Sequence, residues 1–169
     1  MYIIGLTGLS CSGKTSLSEN LHKHLGEKCL LLSMDDYYKE LTEEQSKQLY
    51  DNEAVINFDE PNAINFDQFI NHINDLLAGK AITIPKFDLG SCVVSKTIDI
   101  DPKNYEYIVL EGVFIFCDER LKNLCHLKIW VETSEYICAL RRFIKYTRDI
   151  QGYTPEFIYA QCVKYVIPG

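Results

Sequence analysis

The chain has no excess of positive charge: 17 Lys and Arg are set against 24 Asp and Glu, for a formal net charge of −7. No basic field is therefore available to grip a nucleic-acid backbone or an anionic membrane surface. It has no run approaching the roughly 18 apolar residues that a membrane-spanning helix requires. Its first residues show no charged-then-apolar leader, because Tyr2 to Thr7 reads as a strand. The seven cysteines are odd in number and scattered, with no Cys-x-x-Cys pair and no His/Cys spacing suited to zinc. That argues against a disulfide framework or a zinc site and for free thiols in a reducing, cytoplasmic setting. Internal repeats and low-complexity segments are also lacking. What remains is 169 residues, 47% hydrophobic and 24% charged, enough for one well-cored domain over 1–169.

Against that plain background one stretch stands out: Gly8-Leu9-Ser10-Cys11-Ser12-Gly13-Lys14-Thr15. Two glycines five apart, followed by Lys and a hydroxyl residue, make the phosphate-cradling loop of nucleotide-binding proteins. The context fits. Tyr2 to Thr7 is apolar and partly β-branched, as a buried parallel strand should be, and Leu17, Leu21 and Leu25 recur behind the loop at helical spacing. Backbone N–H groups of Gly8, Ser10, Cys11, Ser12 and Gly13 can then turn inward on a phosphate chain, aided by the helix N-terminus at Lys14, Thr15 and Ser16. Lys14 would reach the β- and γ-phosphates, and the Thr15 hydroxyl would ligate Mg²⁺.

Further elements follow in alternation. Cys29 to Ser33 reads as a second buried strand, ending in Met34-Asp35-Asp36-Tyr37-Tyr38; Lys39 to Asp51 reads as a short helix or loop. An amphipathic helix is expected with Phe66, Phe69, Ile70, Ile73, Leu76 and Leu77 on one face and Gly79 as its stop. Two short strands within 81–99 look like an antiparallel excursion. Tyr107 to Leu110 and Leu127 to Val131 are further core strands, with a short helix over Asp118 to Leu124 between them. A helix from Ser134 places Ile137, Leu140 and Ile144 on one face, with Arg141, Arg142, Lys145 and Arg148 on the other; a last helix runs from Glu156 to Val166. The alternation predicts a doubly wound, mainly parallel α/β sheet with the small excursion and an Arg-bearing lid over 141–154.

Phosphoryl transfer needs a cradle, a metal, a base or positioning group, and cations around the moving charge. Glu111 ends an apolar strand before Gly112, where one carboxylate and Thr15 suffice for Mg²⁺, which keeps several waters. Asp35 or Asp36 ends the second strand and can accept a hydroxyl proton; neighbours on an extended chain point opposite ways, so only one faces the cleft.

The ordered set Gly8–Thr15, Ser33-Met34-Asp35-Asp36-Tyr37-Tyr38, Leu41 to Gln45, Asn57 to Ala63, Ile84 to Asp88, Leu110-Glu111-Gly112 and Arg141-Arg142 resembles the uridine/cytidine kinase family over nearly the whole chain. That family is related to phosphoribulokinase-like and nicotinamide riboside kinases. The resemblance implies ATP- and Mg²⁺-dependent phosphorylation of a nucleoside 5′-hydroxyl in pyrimidine salvage, by a homo-oligomer, typically a tetramer, with no nucleic-acid or membrane partner. It places the base on Asp35, the ribose-binding carboxylate on Asp59, the metal-side acid on Glu111 and a lid arginine on Arg142. Lys14 joins Asp35 and Arg142 as catalytic; Tyr37 and Phe87 join Asp35, Asp59 and Arg142 at the acceptor.

The chain also departs from the family pattern. Phe87 stands where the family has Tyr, Cys92 stands near the expected His, and no Arg follows. The lid's Arg-Gly-Arg becomes Gln151-Gly152-Tyr153, leaving Arg148 as the substitute beside ATP. Family members continue past Pro168-Gly169 through another strand and helix, so a shortened or minimal form is expected. A kinase for another ribosyl or small hydroxyl acceptor, such as nicotinamide riboside, is the alternative. A GTPase-type switch would need an Asn-Lys-x-Asp motif, which is absent from the sequence; a non-catalytic binding homologue is a further reading.

Overall fold

The computed structural model describes residues 1–42, 44–45, 57–149 and 154–163. Its strands are β1 (Tyr2–Gly8), β2 (Cys29–Ser33), β3 (Ile82–Asp88), β4 (Val93–Ile100), β5 (Tyr107–Glu111) and β6 (Leu127–Val131). Its helices are α1 (Lys14–Leu25), α2 (Phe66–Leu77), α3 (Glu119–Leu124), α4 (Glu135–Asp149) and α5 (Pro155–Gln161). Four strands form one parallel sheet in the order β2-β5-β1-β6. β3 and β4 pair antiparallel as a separate hairpin. The expected architecture is therefore present, with the excursion strands running longer than the sequence suggested.

Side-chain alternation on the strands divides the core into two layers. Ile3, Leu30, Leu32, Ile108 and Leu110 meet Phe69, Ile73 and Leu76 of α2 on one face. Ile4, Cys29 and Val109 meet Leu21 and Leu25 of α1 on the other. Both faces of β1 are buried, which is why its run is apolar throughout rather than alternating. At its middle, a Cβ on Gly5 would stand 2.6 Å from the Cys125 sulfur and 2.8 Å from the Phe116 ring, so only glycine lets those groups close on the strand.

Helix ends follow their local chemistry. Asn65 caps α2, its side chain accepting from the Gln68 N–H at 3.2 Å, and Gly79 follows the helix at φ 76°, a conformation costly for other residues. Asp118 caps α3 in the same way through the Arg120 N–H.

Three burial expectations are corrected. Leu77 is exposed at the end of α2, while Phe69, Ile70, Ile73 and Leu76 are buried. Leu17 is exposed, and Lys14 and Ser18 are the buried residues of α1, because the first turn of that helix faces the phosphate loop rather than the core. On α4, Ile137, Leu140 and Ile144 lie exposed while Cys138 and Arg142 are buried. The helix is seated by its arginine side, so its apolar face is uncovered among the described residues. The Gln151-Gly152-Tyr153 part of the expected lid, most of the Lys39–Asp51 segment and the tail beyond Val163 lie outside the described residues.

Register brings the functional strand ends level. Leu6 of β1 stands beside Glu111 of β5, and Glu111 beside Ser33 of β2. Gly8 stands beside Val131 of β6. The loop after β1 leaves the sheet between β5 and β6, on the carboxyl side where open α/β sheets bind ligands.

Candidate active site

The phosphate loop is shaped by close packing as well as by glycine flexibility. A Cβ on Gly8 would stand 2.5 Å from the Val131 carbonyl oxygen, so the loop can pass the edge strand only without a side chain. Gly13 at φ 105° and Cys11 at φ 62° turn the backbone into α1. The Ser12 N–H closes the turn on the Leu9 carbonyl at 3.1 Å, and Thr133 Oγ1 donates to the Ser12 carbonyl at 3.0 Å. Arg141 Nη1 donates to the Cys11 carbonyl at 3.4 Å, tying α4 to the loop.

Inside the loop, Lys14 Nζ donates to the Leu9 carbonyl at 2.7 Å and the residue is 7% exposed. Burial lowers its pKa, against the opposing pull of Glu111 and Asp35. Ser12 Oγ is buried with no hydrogen-bond partner among the described residues. A buried hydroxyl without a partner is costly unless something else meets it. A desolvated cation and an orphan hydroxyl around glycine-made turns fit an anionic phosphate chain.

Glu111 ends β5 buried, accepting from Ser33 Oγ at 2.9 Å. Burial raises its pKa first and the Asp35 charge adds to that; the Ser33 bond and Lys14 act in the opposite sense. Thr15 lies exposed on the first turn of α1. Among the described residues no group of three or more His, Cys, Asp or Glu side chains could cage a metal. The donors present are hard oxygens and few, which fits a Mg²⁺ that keeps its waters and completes its shell with phosphate oxygens.

After β2 the chain turns through a single 3-10 turn, Met34–Tyr37, with Ser33 Oγ accepting from the Asp35 N–H at 3.3 Å. The sequence reading assumed an extended chain here; the turn separates the two carboxylates all the same. Asp35 opens onto a cavity. Asp36 points away and pairs with Lys86 Nζ at 2.5 Å. Protein crowding around the Asp35 carboxyl raises its pKa, partly offset by Lys14, although solvent still reaches the residue through the cleft.

That cavity is lined by Ser10, Asp35, Tyr38, Phe58, Asp59, Leu89, Val113, Arg142 and Tyr146. Arg142 Nη1 meets Asp59 Oδ1 at 2.5 Å, with the guanidinium 4.9 Å from the Tyr146 ring centroid. Burial works most strongly against the Arg142 charge, but the Asp59 hydrogen bond together with the electrostatic pull of Tyr146, Asp59 and Cys162 outweighs it and holds the pKa above its ordinary value. Arg142 Nε is buried without a partner among the described residues. Burial pushes the Tyr146 phenol up to about 12, so it stays protonated and able to donate.

Several sequence-chosen residues thus converge: Ser10, Asp35, Asp59 and Arg142 line one cavity, Lys14 acts on the Asp35 carboxylate, and that carboxylate acts on Glu111. Tyr37 is a correction. It is 1% exposed, its ring packs on Phe69 at 4.6 Å, and its hydroxyl pairs with His72 Nδ1 at 2.9 Å. The turn sends Tyr37 into the core and its neighbour Tyr38 to the cavity. Phe87 sits behind the lining, 5.6 Å from the Tyr38 ring, packed with Cys92 and Phe157 against the lining residue Phe58. Arg148 is exposed in the last turn of α4 and does not line the cavity. Sequence reasoning missed Tyr38 and Tyr146. For Tyr38 the adjacent phenol gave the signal without the phase; Tyr146, one turn after Arg142, gave none beyond its spacing.

A phosphate loop, a strand-end carboxylate and a buried Arg–Asp pair on a parallel sheet of this order define a P-loop phosphotransferase. The family comparison narrows this class: the model described as Phosphoribulokinase / Uridine kinase family matches residues 3–168, and the chain belongs to that family. A uridine kinase of Geobacillus sp. strain WCH70 is 37% identical, over 98% of this chain and 76% of the relative. One from Clostridium perfringens strain SM101 is 32% identical, over 98% of this chain and 77% of the relative. Among solved structures, the phosphoribulokinase of Rhodobacter sphaeroides superposes with a TM-score of 0.64 at 17% identity, covering 99% of this chain and 66% of that one, which speaks for the fold.

Proposed function

We propose that this kinase transfers the γ-phosphoryl group of ATP to the 5′-hydroxyl of a ribonucleoside, with uridine and cytidine as acceptors. The observation that carries the reading is that Asp35 shares a cavity with the Asp59–Arg142 pair while Lys14 acts on the same carboxylate from the phosphate side and Glu111 feels its charge. The two relatives named above are uridine kinases by name, which supports the acceptor assignment.

In this reading the cradle from Gly8 to Ser16 holds the phosphates, and Lys14 balances charge on the transferring group. Asp35 accepts the proton of the attacking hydroxyl; a carboxylate whose pKa is raised is a stronger base than an ordinary one. Asp59 accepts hydrogen bonds from the ribose hydroxyls, and Arg142 orients Asp59 and donates to the acceptor. Thr15 and Glu111 would hold Mg²⁺, which when bound supplies positive charge at the β- and γ-oxygens. Arg141 and Arg148 belong to a lid that closes from α4. The setting is the cytoplasm, and the active form is a homo-oligomer.

A second acceptor class is favoured by one observation. Phe58, Phe87, Cys92 and Phe157 form an apolar cluster beside the cavity, and the Cys92 thiol is spent on the Leu89 carbonyl at 3.3 Å. Only Phe58 of this cluster reaches the cavity lining, where it can stack on a ring but offers no group to read a pyrimidine, so another ribosyl acceptor such as nicotinamide riboside can also fit. A coupled ADP-release assay with uridine, cytidine, nicotinamide riboside and pantothenate separates the readings. Turnover with uridine or cytidine is expected; turnover confined to the other two would move the acceptor, and none at all would remove the kinase reading.

A further inference from the structure

The 2.5 Å ion pair between Lys86 and Asp36 is one residue away from the proposed base and is not used by the chemistry. Both ends are partly withdrawn from water, with the Asp36 side chain 12% and the Lys86 side chain 32% exposed. The pair joins two different elements: Asp36 lies on the 3-10 turn after β2, and Lys86 lies on β3 of the separate hairpin.

The backbone at Lys86 is set by an irregularity in the hairpin. The β3–β4 register shifts between Lys86 and Phe87, leaving Ser95 as the extra residue, and Ser95 Oγ donates to the Lys86 carbonyl at 3.0 Å. Such a bulge re-aims the neighbouring side chain. Within the hairpin the charge is a liability, because Lys86 stands opposite Lys96 and like charges across a strand pair are destabilising. Its compensation lies outside the hairpin, at Asp36. A second tie runs in parallel: Glu40 Oε1 accepts from the Val94 N–H at 2.8 Å. The hairpin's other end supplies Leu89 to the cavity that Asp35 lines. The ion pair therefore fastens a wall of the acceptor cavity to the turn that carries the base.

We propose that Lys86 is a positioning residue for phosphoryl transfer: its ion pair with Asp36 locks the Met34–Tyr37 turn so that Asp35 faces the cavity and Asp36 does not. Lys86 touches neither substrate nor phosphate in this scheme. It also neutralises the carboxylate beside Asp35, so the cavity carries one acidic charge from this turn instead of two.

The inference rests on the kinase reading above, and its test has an arm that does not. Lys86→Met keeps the aliphatic stem and removes the charge, Lys86→Arg keeps the charge, and Asp36→Asn removes the partner. In the full chain, amide hydrogen exchange of Asp35, Asp36 and Tyr37 is compared among these variants, with circular dichroism confirming the fold. Faster exchange at the turn is expected in Lys86→Met and Asp36→Asn, and near-parental exchange in Lys86→Arg. Turnover of the same proteins should fall about 10–100-fold in Lys86→Met, since small misplacement of a reacting group costs that much. KM for ATP should stay within about twofold, and Lys86→Arg should recover most of the loss. The double variant Asp36→Asn/Lys86→Met should be no worse than the poorer single one. Unchanged exchange in Lys86→Met overturns the proposal, as does independent multiplication of the two losses or an arginine variant as impaired as methionine. If the parent phosphorylates no ribonucleoside, the proposed function falls while the exchange arm still decides whether Lys86 locks the turn.

Discussion

Asp59→Asn isolates the energetics of the acceptor cavity. The change keeps shape and removes the charge that faces Arg142, whose side chain is 4% exposed against 18% for Asp59. Arg142 cannot respond by losing its proton, because guanidinium stays charged in proteins. Nor can it relax into water, since it lies between Asp59 and the Tyr146 ring. Breaking a buried pair from one side costs about 3–5 kcal/mol, and the partial exposure of Asp59 places this case at the lower end, about 3 kcal/mol. For a chain of this size that corresponds to a fall in Tm of about 6–12 °C. Urea denaturation of the parent, Asp59→Asn, Arg142→Met and the double variant measures it. The double variant should recover at least half of the Asp59→Asn loss, because an apolar side chain of similar volume replaces the stranded charge. A loss below about 1 kcal/mol in Asp59→Asn, or a double variant as unstable as Asp59→Asn, would refute the reasoning.

Two further predictions concern the turn after β2. Asp35→Asn should keep ATP binding by calorimetry and lose about 10²–10⁴-fold in turnover, and Asp36→Asn should lose far less; the reverse order would mean that the other carboxylate is the base. The raised pKa values of Asp35 and Glu111 also have a stability consequence with a definite sign. A carboxyl that binds its proton more tightly when folded contributes stability below its unfolded pKa, and that contribution is lost as pH rises through the folded pKa. Substrate-free Asp35→Asn should therefore melt above the parent at neutral pH, with the advantage vanishing at low pH where both are uncharged. A melting point at neutral pH equal to or below the parent's would contradict the burial argument. Finally, a Cβ on Gly112 would stand 2.5 Å from Met34 Cβ, at the start of the same turn. Gly112→Ala should cost about 1–3 kcal/mol as overpacking and lower turnover more than ATP affinity; a silent variant would show that the turn can shift freely.

Much of the architecture was legible because its signals are local. The phosphate loop is a contiguous pattern whose turns need glycine, and the strand and helix around it carry their own periodicity. The carboxylates Asp35 and Glu111 could be placed because strand ends in a parallel sheet share one edge, and register then set Glu111 beside Ser33. Side-chain phase was not legible. Tyr37 and Tyr38 are adjacent and chemically alike, and only the 3-10 turn decides which enters the core. On α4 the hydrophobic pattern pointed to Ile137, Leu140 and Ile144 as the buried side, whereas Arg142 is buried because Asp59, 83 residues earlier, waits for it.

By itself, then, the sequence determined the strand–loop–helix cradle, the parallel sheet and the supply of carboxylates at its carboxyl edge, because short-range sterics and apolar periodicity govern these. The tertiary structure decided the pairings: Arg142 with Asp59, Lys86 with Asp36, and Tyr37 with His72. Each of these depends on the angle at which one element packs against another distant in the chain. A side chain's type limits which partners it can have, but only the packed elements choose among them, since a desolvated charge or phenol must be met where the fold leaves it.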